Sequence, residues 1–271
     1  MLLTIIVLLA LPVLGWFIII AIGSWPENIG LPNPNSPLNG RKQAVLLVIA
    51  HPDDECMFFA PTLLALAATT DRYVLCLSVG NAQGLGRIRE KELRASCRIL
   101  GHSNEIHVES MDHELLPDSM TQDWDLSLII DTVASHIHKH NIDSIITFDE
   151  HGVSGHTNHR AIYKAMRQGK LTGKITIPIY ALESVSVLRK FSSLVDVCYT
   201  YFSHLFTSNS LTWGEMAVDT SFRRHVFVAS IHSYLAGRLA MFEHASQLVW
   251  FRYLYLLFSR YMVINTLKRI D

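Results

Sequence analysis

Two short stretches hold the residues best suited to chemistry. His51-Pro52-Asp53-Asp54-Glu55 ends an apolar run, and His156-Thr157-Asn158-His159 carries two histidines at a spacing that puts both on one face of a helix starting there. Acids that follow a strand are also what any helix N-terminus prefers, so the three carboxylates alone say little. That explanation leaves His51 and the second histidine loop over. His51, Asp54 and His159 make a set of two imidazoles and one carboxylate, and such a set with an open fourth position is the arrangement of catalytic zinc. A structural zinc site takes four protein ligands, usually with cysteine. Asp53 would stand beside the metal without binding it, free to act as a base. The chain has 14 histidines, and His136, His138 and His140 read as a solvated helix end with no metal role.

Bringing two loops a hundred residues apart to one cation takes a scaffold, and the pattern supplies one. Val45–Ala50, Tyr73–Val79, Asn104–Val108, Asp143–Phe148 and Thr176–Leu182 read as strands. Helical periodicity falls near Cys56–Ala68, Arg87–Leu100, Trp124–His140 and Thr157–Gln168. Strand and helix in turn predict βαβ units: an α/β, Rossmann-like fold with a mostly parallel sheet flanked by helices. Ligands of such sheets bind beyond the carboxyl ends of the strands. The runs HPDDE, GNAQGLGRIR and DEHGVSGHTNH each follow a strand, so three loops are expected to meet at one edge.

Composition narrows the class. Charged residues make up only 17% of the 271 and the hydrophobic set 49%, which points to membrane contact or a large buried fraction. A formal net charge of −1 gives no basic field for nucleic acid. The four cysteines have no short paired spacing and read as reduced core residues, and no Asn-x-Ser/Thr acceptor site is present. Met1–Ile22 is uncharged, near the roughly 20 residues that cross a bilayer as helix. It lacks the basic flank of a cleaved signal, so a transmembrane anchor over 1–23 is expected. A Pro-rich spacer over 24–43 follows, with the Arg41-Lys42 pair placing the body on the cytosolic side. Gln247–Ile264 reads either as a buried helix with two solvent-reaching arginines or as an interfacial helix lying on the membrane.

AHPDDE after the first strand, GLGRIREKEL after the second and GVSGHTNHRA before a helix together resemble the PIG-L family, the N-acetylglucosaminyl-phosphatidylinositol de-N-acetylases, with their bacterial LmbE-like relatives. The tail SQLVWFRYLYLLFSRYM is similar to the eukaryotic, lipid-substrate branch, and the resemblance covers residues 45–270 within a catalytic domain over 44–271. It implies zinc, or another divalent metal, on His51, Asp54 and His159, with Asp53 as general base. It implies that His156 stabilises the tetrahedral intermediate or protonates the leaving amine, and that Arg89 binds substrate. Glu55 and Asp149 are then expected to support the ligands from behind. Bacterial relatives usually carry Asp where this chain has Asn158, which puts the local hydrogen bonding in question. The implied activity is hydrolysis of the N-acetyl group of a lipid-linked amino sugar at the endoplasmic reticulum membrane, with the bilayer as partner and the catalytic domain in the cytosol. A deacetylase of a soluble N-acetylglucosaminyl conjugate, and a non-catalytic membrane-anchored binding protein, are the alternatives.

Overall fold

The computed structural model describes residues 11, 13–18, 41–101, 104–208 and 224–270. Seven strands form one sheet: β1 (Gln43–Ile49), β2 (Thr70–Cys76), β3 (Ile106–Ser110), β4 (Ser144–Phe148), β5 (Ile179–Leu182), β6 (Arg224–Val228) and β7 (Ile264–Ile270). Their order is β3-β2-β1-β4-β5-β7-β6. The first five are mutually parallel, whereas β7 runs antiparallel to both β5 and β6. All seven residues of β1 are buried, as expected of a central parallel strand covered on both faces, and each fully buried aliphatic side chain contributes about 1.5–3 kcal/mol. The chain winds outward from β1 through β2 to β3, then returns to place β4 on the other side of β1. That reversal opens a crevice past the ends of β1 and β4, the usual ligand position in such sheets.

Helices α1 (Asp54–Phe58), α2 (Ala60–Ala65), α3 (Gly86–Gly101), α4 (Leu126–His140) and α5 (Thr157–Leu171) cover the parallel part. The single helix expected over Cys56–Ala68 is instead two short ones. The break falls at Phe59, with φ −119° and ψ 3°. Asn265 of β7 supports it, donating to Phe58 O (2.8 Å) and accepting from Thr62 N and Oγ1, so backbone groups freed by the break stay satisfied.

The C-terminal third departs most from the sequence reading. It holds α6 (Val187–Lys190), α7 (Leu194–Ser208), α8 (Ile231–Glu243) and α9 (Trp250–Phe258), followed by a 3₁₀ turn at Arg260–Met262 and then β7. Gln247–Ile264 is therefore not one helix, and neither of its arginines is a solvated surface charge. Arg260 is wholly buried and donates through Nε to Asp196 Oδ2 at 2.5 Å, while Arg252 points into the crevice. Residues 13–18 are helical, with Trp16 packed against Val197, Val226 and Val263. Apart from Leu11, the rest of the expected anchor, and 24–40 of the spacer, lie outside the described residues. Among the described residues no helix is long and apolar enough to cross a membrane. All four cysteines are free, three of them buried.

Candidate metal centre and active site

The three expected loops meet at the crevice. Ring centroids of His51 and His159 lie 5.6 Å apart, and His156 sits 4.7 Å from His51 and 5.1 Å from His159. A ligand atom from each of the three imidazoles falls within 4.8 Å of the others. Asp54 completes the group, with Oδ1 3.2 Å from His159 Nε2 and Oδ2 4.0 Å from His51 Nδ1. The Asp54 carboxylate also accepts from the backbone N–H groups of Ala50 and His51. Burial opposes its ionisation, but the neighbouring His159 and His51 outweigh that and hold it well below the usual carboxylate range.

The hydrogen bonds behind the rings separate their roles. His159 Nδ1 donates to Gly152 O at 3.0 Å, which leaves Nε2 facing Asp54; burial lowers the pKa of this ring but Asp54 outweighs it, and a cation bound here would take the place of the Nε2 proton. That Nε2 is buried and makes no hydrogen bond, despite its proximity to Asp54. Two lone-pair donors that converge without bonding each other are what ligands of one cation look like, and the outer Nδ1–H···O=C contact is the usual support of a metal-bound histidine. His156 is wired the other way. Its Nδ1 accepts from Asn158 N at 3.2 Å as the N-cap of α5, leaving Nε2 to carry the proton. Burial first, then His51 and His159, lower its pKa to about 4, so at neutral pH it is an uncharged N–H donor facing the cavity. His51, Asp54 and His159 thus fit a divalent metal, with His156 beside them.

Backbone strain marks the same spot. Asp53 has φ 114° and Val153 φ 61°, conformations costly for residues with a Cβ. Glu55 Oε2 accepts from Asp53 N, and Ser184 Oγ accepts from Val153 N, which holds each in place. Gly152, at φ +60°, has no room for a side chain: a Cβ would stand 2.7 Å from that of His159. The expected supports act at this level. Glu55 is fully buried, paired with His244 Nε2 at 2.7 Å and accepting from Ser96 Oγ. Asp149 accepts from Gly152 N and from Ser184, and so fixes the loop whose Gly152 carbonyl orients His159.

Asp53 is the pivot of a second set. Burial pushes its carboxyl up, against the opposing pull of Arg252 and Arg89. Arg252 donates to Oδ2 at 3.1 Å, and Arg89 lies 3.8 Å from the same oxygen. Arg89 is buried. It donates to Pro52 O (2.8 Å), Gly80 O (3.1 Å) and Asp118 Oδ2 (3.2 Å), so its guanidinium is engaged by protein groups on the crevice floor. Glu92 of the same motif accepts from Ser246 N and Oγ, tying the segment before α9 to α3. Asn158, the position in question, also bears on the site: its Nδ2 lies 3.0 Å from His51 Nε2 and donates to Pro117 O.

Two residues were missed from sequence. Asp118 stands 3.2 Å from His51 Nε2 and bridges it to Arg89; it lies in an irregular segment with no periodic signal. Arg252 was read as solvent-reaching. The cavity these groups line has a volume of about 400 Å³, with Met57, Phe251 and Tyr255 as apolar wall. His136 and His140 lie elsewhere, holding Glu109 at 2.9 and 3.3 Å.

Comparison with known proteins gives the family and the fold. The family model described as GlcNAc-PI de-N-acetylase, PIG-L, matches residues 46–169. N-acetylglucosaminyl-phosphatidylinositol de-N-acetylase of Bos taurus is 40% identical, with 96% of each chain covered. The probable enzyme of the same name from Schizosaccharomyces pombe is 39% identical over 84% of this chain and 87% of its own. A crystal structure of a deacetylase from teicoplanin biosynthesis shares the fold, with a TM-score of 0.56 at 14% identity over 84% of this chain and 99% of its own. Motif, fold and whole-length likeness converge, and the chain belongs to the PIG-L family.

Proposed function

We propose that the protein hydrolyses the N-acetyl group of N-acetylglucosaminyl-phosphatidylinositol, giving glucosaminyl-phosphatidylinositol and acetate, with zinc held by His51, Asp54 and His159. The observation that carries this reading is the buried, unshared Nε2 of His159 beside Asp54, its ring fixed from behind by Gly152. The substrate class rests on the activity named for the relatives from cattle and fission yeast. When bound, the metal would supply Lewis-acid polarisation of the acetyl carbonyl and a more acidic water.

The remaining work falls to the chain. Asp53, whose basicity burial increases, takes the proton of the attacking water. Arg252 and Arg89 keep that carboxylate aimed while it is anionic. His156 donates its Nε2–H to the oxyanion that forms as water adds to the acyl carbon, a role suited to a neutral imidazole. The C–N bond then breaks, and Asp53 returns its proton to the departing amine. Water, proton and leaving group are accounted for. In this reading the reaction is the second step of glycosylphosphatidylinositol assembly. An uncharged N-terminal anchor would hold the enzyme in the endoplasmic reticulum membrane, its catalytic side toward the cytosol, where a lipid-bound substrate is reached by lateral diffusion.

The test pairs metal analysis of wild-type and His159→Ala protein with acetate release from the lipid-linked sugar. The wild type is expected to carry about one divalent ion per chain and the variant to lose both metal and activity. Asp53→Asn should keep the metal while losing about 10²-fold or more in rate. A fully active Asp53→Asn protein, or activity indifferent to metal removal, would overturn the mechanism.

A further inference from the structure

The side of α8 and α9 turned away from the sheet is apolar and bare. Along α9, Trp250, Tyr253, Leu254, Leu257 and Phe258 are all exposed, Trp250 to 75%, and that spacing lies along a single side of a helix. Its one charged side chain, Arg252, is turned inward to Asp53. On α8 a second stripe, Ile231, Leu235, Leu239 and Phe242, is also exposed. The two stripes join: the rings of Phe242 and Tyr253 lie 6.3 Å apart, and Tyr234 Oη donates to Leu256 O. Singly exposed apolar residues are ordinary, but a continuous two-helix surface marks an interaction site.

Two further observations identify the occupant. The face borders the mouth of the cavity, because Phe251, Arg252 and Tyr255 of α9 line it while the neighbouring α9 residues form the bare stripe. On the opposite lip Lys190 lines the same cavity, and Val187, Leu188 and Phe191 around it are exposed. The uncharged N-terminal run also meets the body here. Trp16 packs in a cluster that includes Tyr234 of α8 and donates to Ala229 O at 3.1 Å, while Leu14, Phe17 and Ile18 on the same turns are exposed. Aromatic and leucine side chains with Arg238, half-buried against Tyr234, as the cation among them, beside an apolar N-terminal run, match a lipid surface in chemistry.

We propose that the exposed side of α8 and α9 is a membrane-docking surface that lies in the headgroup region of a bilayer and sets the cavity mouth against it. The purpose of this docking rests on the lipid-substrate reading above; the surface itself does not.

The test uses the full chain with phosphatidylcholine vesicles containing phosphatidylinositol and no substrate. Brominated acyl chains are expected to quench Trp250, seen as a quenched component in the wild type that Trp250→Phe removes. Separately, Leu254→Glu/Leu257→Glu should lower kcat/KM on vesicle-embedded substrate by about tenfold or more through KM, while changing turnover of a short-chain, water-soluble analogue by less than about twofold. Intact turnover of the analogue also shows that the variant folds. If the assigned reaction is wrong, neither substrate turns over, yet quenching still decides the docking. Unquenched Trp250 in vesicle-bound protein would overturn the proposal. So would shielding of Trp250 that rises with protein concentration and not with lipid, which assigns the face to a second copy.

Discussion

Asp196 and Arg260 offer a test in which two substitutions at one buried contact should differ sharply. Arg260 has no exposed surface, and among the described residues its sole carboxylate partner is Asp196, 1% exposed, at 2.5 Å. Asp196 by contrast has two cations: Arg189 Nε donates to its other oxygen at 2.6 Å, and Thr200 Oγ1 lies 3.2 Å away. Asp196→Asn therefore leaves the Arg260 guanidinium buried with no opposite charge, a change that costs about 3–5 kcal/mol. Arg260→Met leaves Asp196 paired with Arg189 and fills the volume with an unbranched apolar chain, so its cost should stay below about 2 kcal/mol. For a body of this size each kcal/mol moves Tm by roughly 2–4 °C, which puts Asp196→Asn about 10 °C below the wild type and Arg260→Met within about 5 °C. Thermal unfolding of the full chain in one detergent, followed by circular dichroism at a fixed scan rate, reads the difference. Equal losses, or a greater loss for Arg260→Met, would show that the carboxylate is not what holds Arg260 in the interior.

The other expectations concern the site and its frame. Arg252→Met removes the closer cation from Asp53 and should lower kcat/KM by about 10²-fold through misplacement of the base, with metal content unchanged; an unaltered rate by acetate assay would rule out that role. Glu55→Gln breaks the buried pair with His244 and the charge-assisted bond to Asp53 N, so both Tm and rate should fall. His244→Gln should lower Tm comparably but spare more of the rate, and matched rates would contradict this. Glu109, held by Lys139 first and then His136, has its pKa lowered to about 2. Because the folded value lies below the unfolded one, this group adds stability above about pH 4.3 and loses it as pH falls toward 2. Glu109→Gln should flatten that part of the acid limb, by under about 1 kcal/mol given the exposure of the group; an acid limb identical to the wild type's would refute it.

The parallel half of the fold was legible because its physics is local. β1 is apolar from Ala44 to Ile49 and β4 is buried at every position, as strands covered on both faces must be, and each ends in a loop rich in groups that apolar strands cannot house. Two such loops at a strand-order reversal have few places to go but the crevice between them. Asp118 was beyond reach for the opposite reason: its segment has neither period nor apolar run, and only the fold brings it against His51. The break at Phe59 was equally hidden, since the partner that satisfies it, Asn265, comes from 207 residues away.

The tail failed differently. In WFRYLYLLF nearly every position is apolar, so helical periodicity cannot say which side faces the core. An arginine in such a run is ordinarily assigned to water, because leaving its charge unpaired inside costs several kcal/mol. That argument holds only if no buried carboxylate waits for it. Asp53, strained at φ 114° and pushed up by burial, is such a carboxylate, and pairing with Arg252 relieves both groups at once. Tyr255 and Leu256, buried on the same side as Arg252, then fix the rotation of α9 and leave Trp250, Leu254 and Leu257 outside. The charge that made the helix look solvent-facing is thus what turns its apolar side outward.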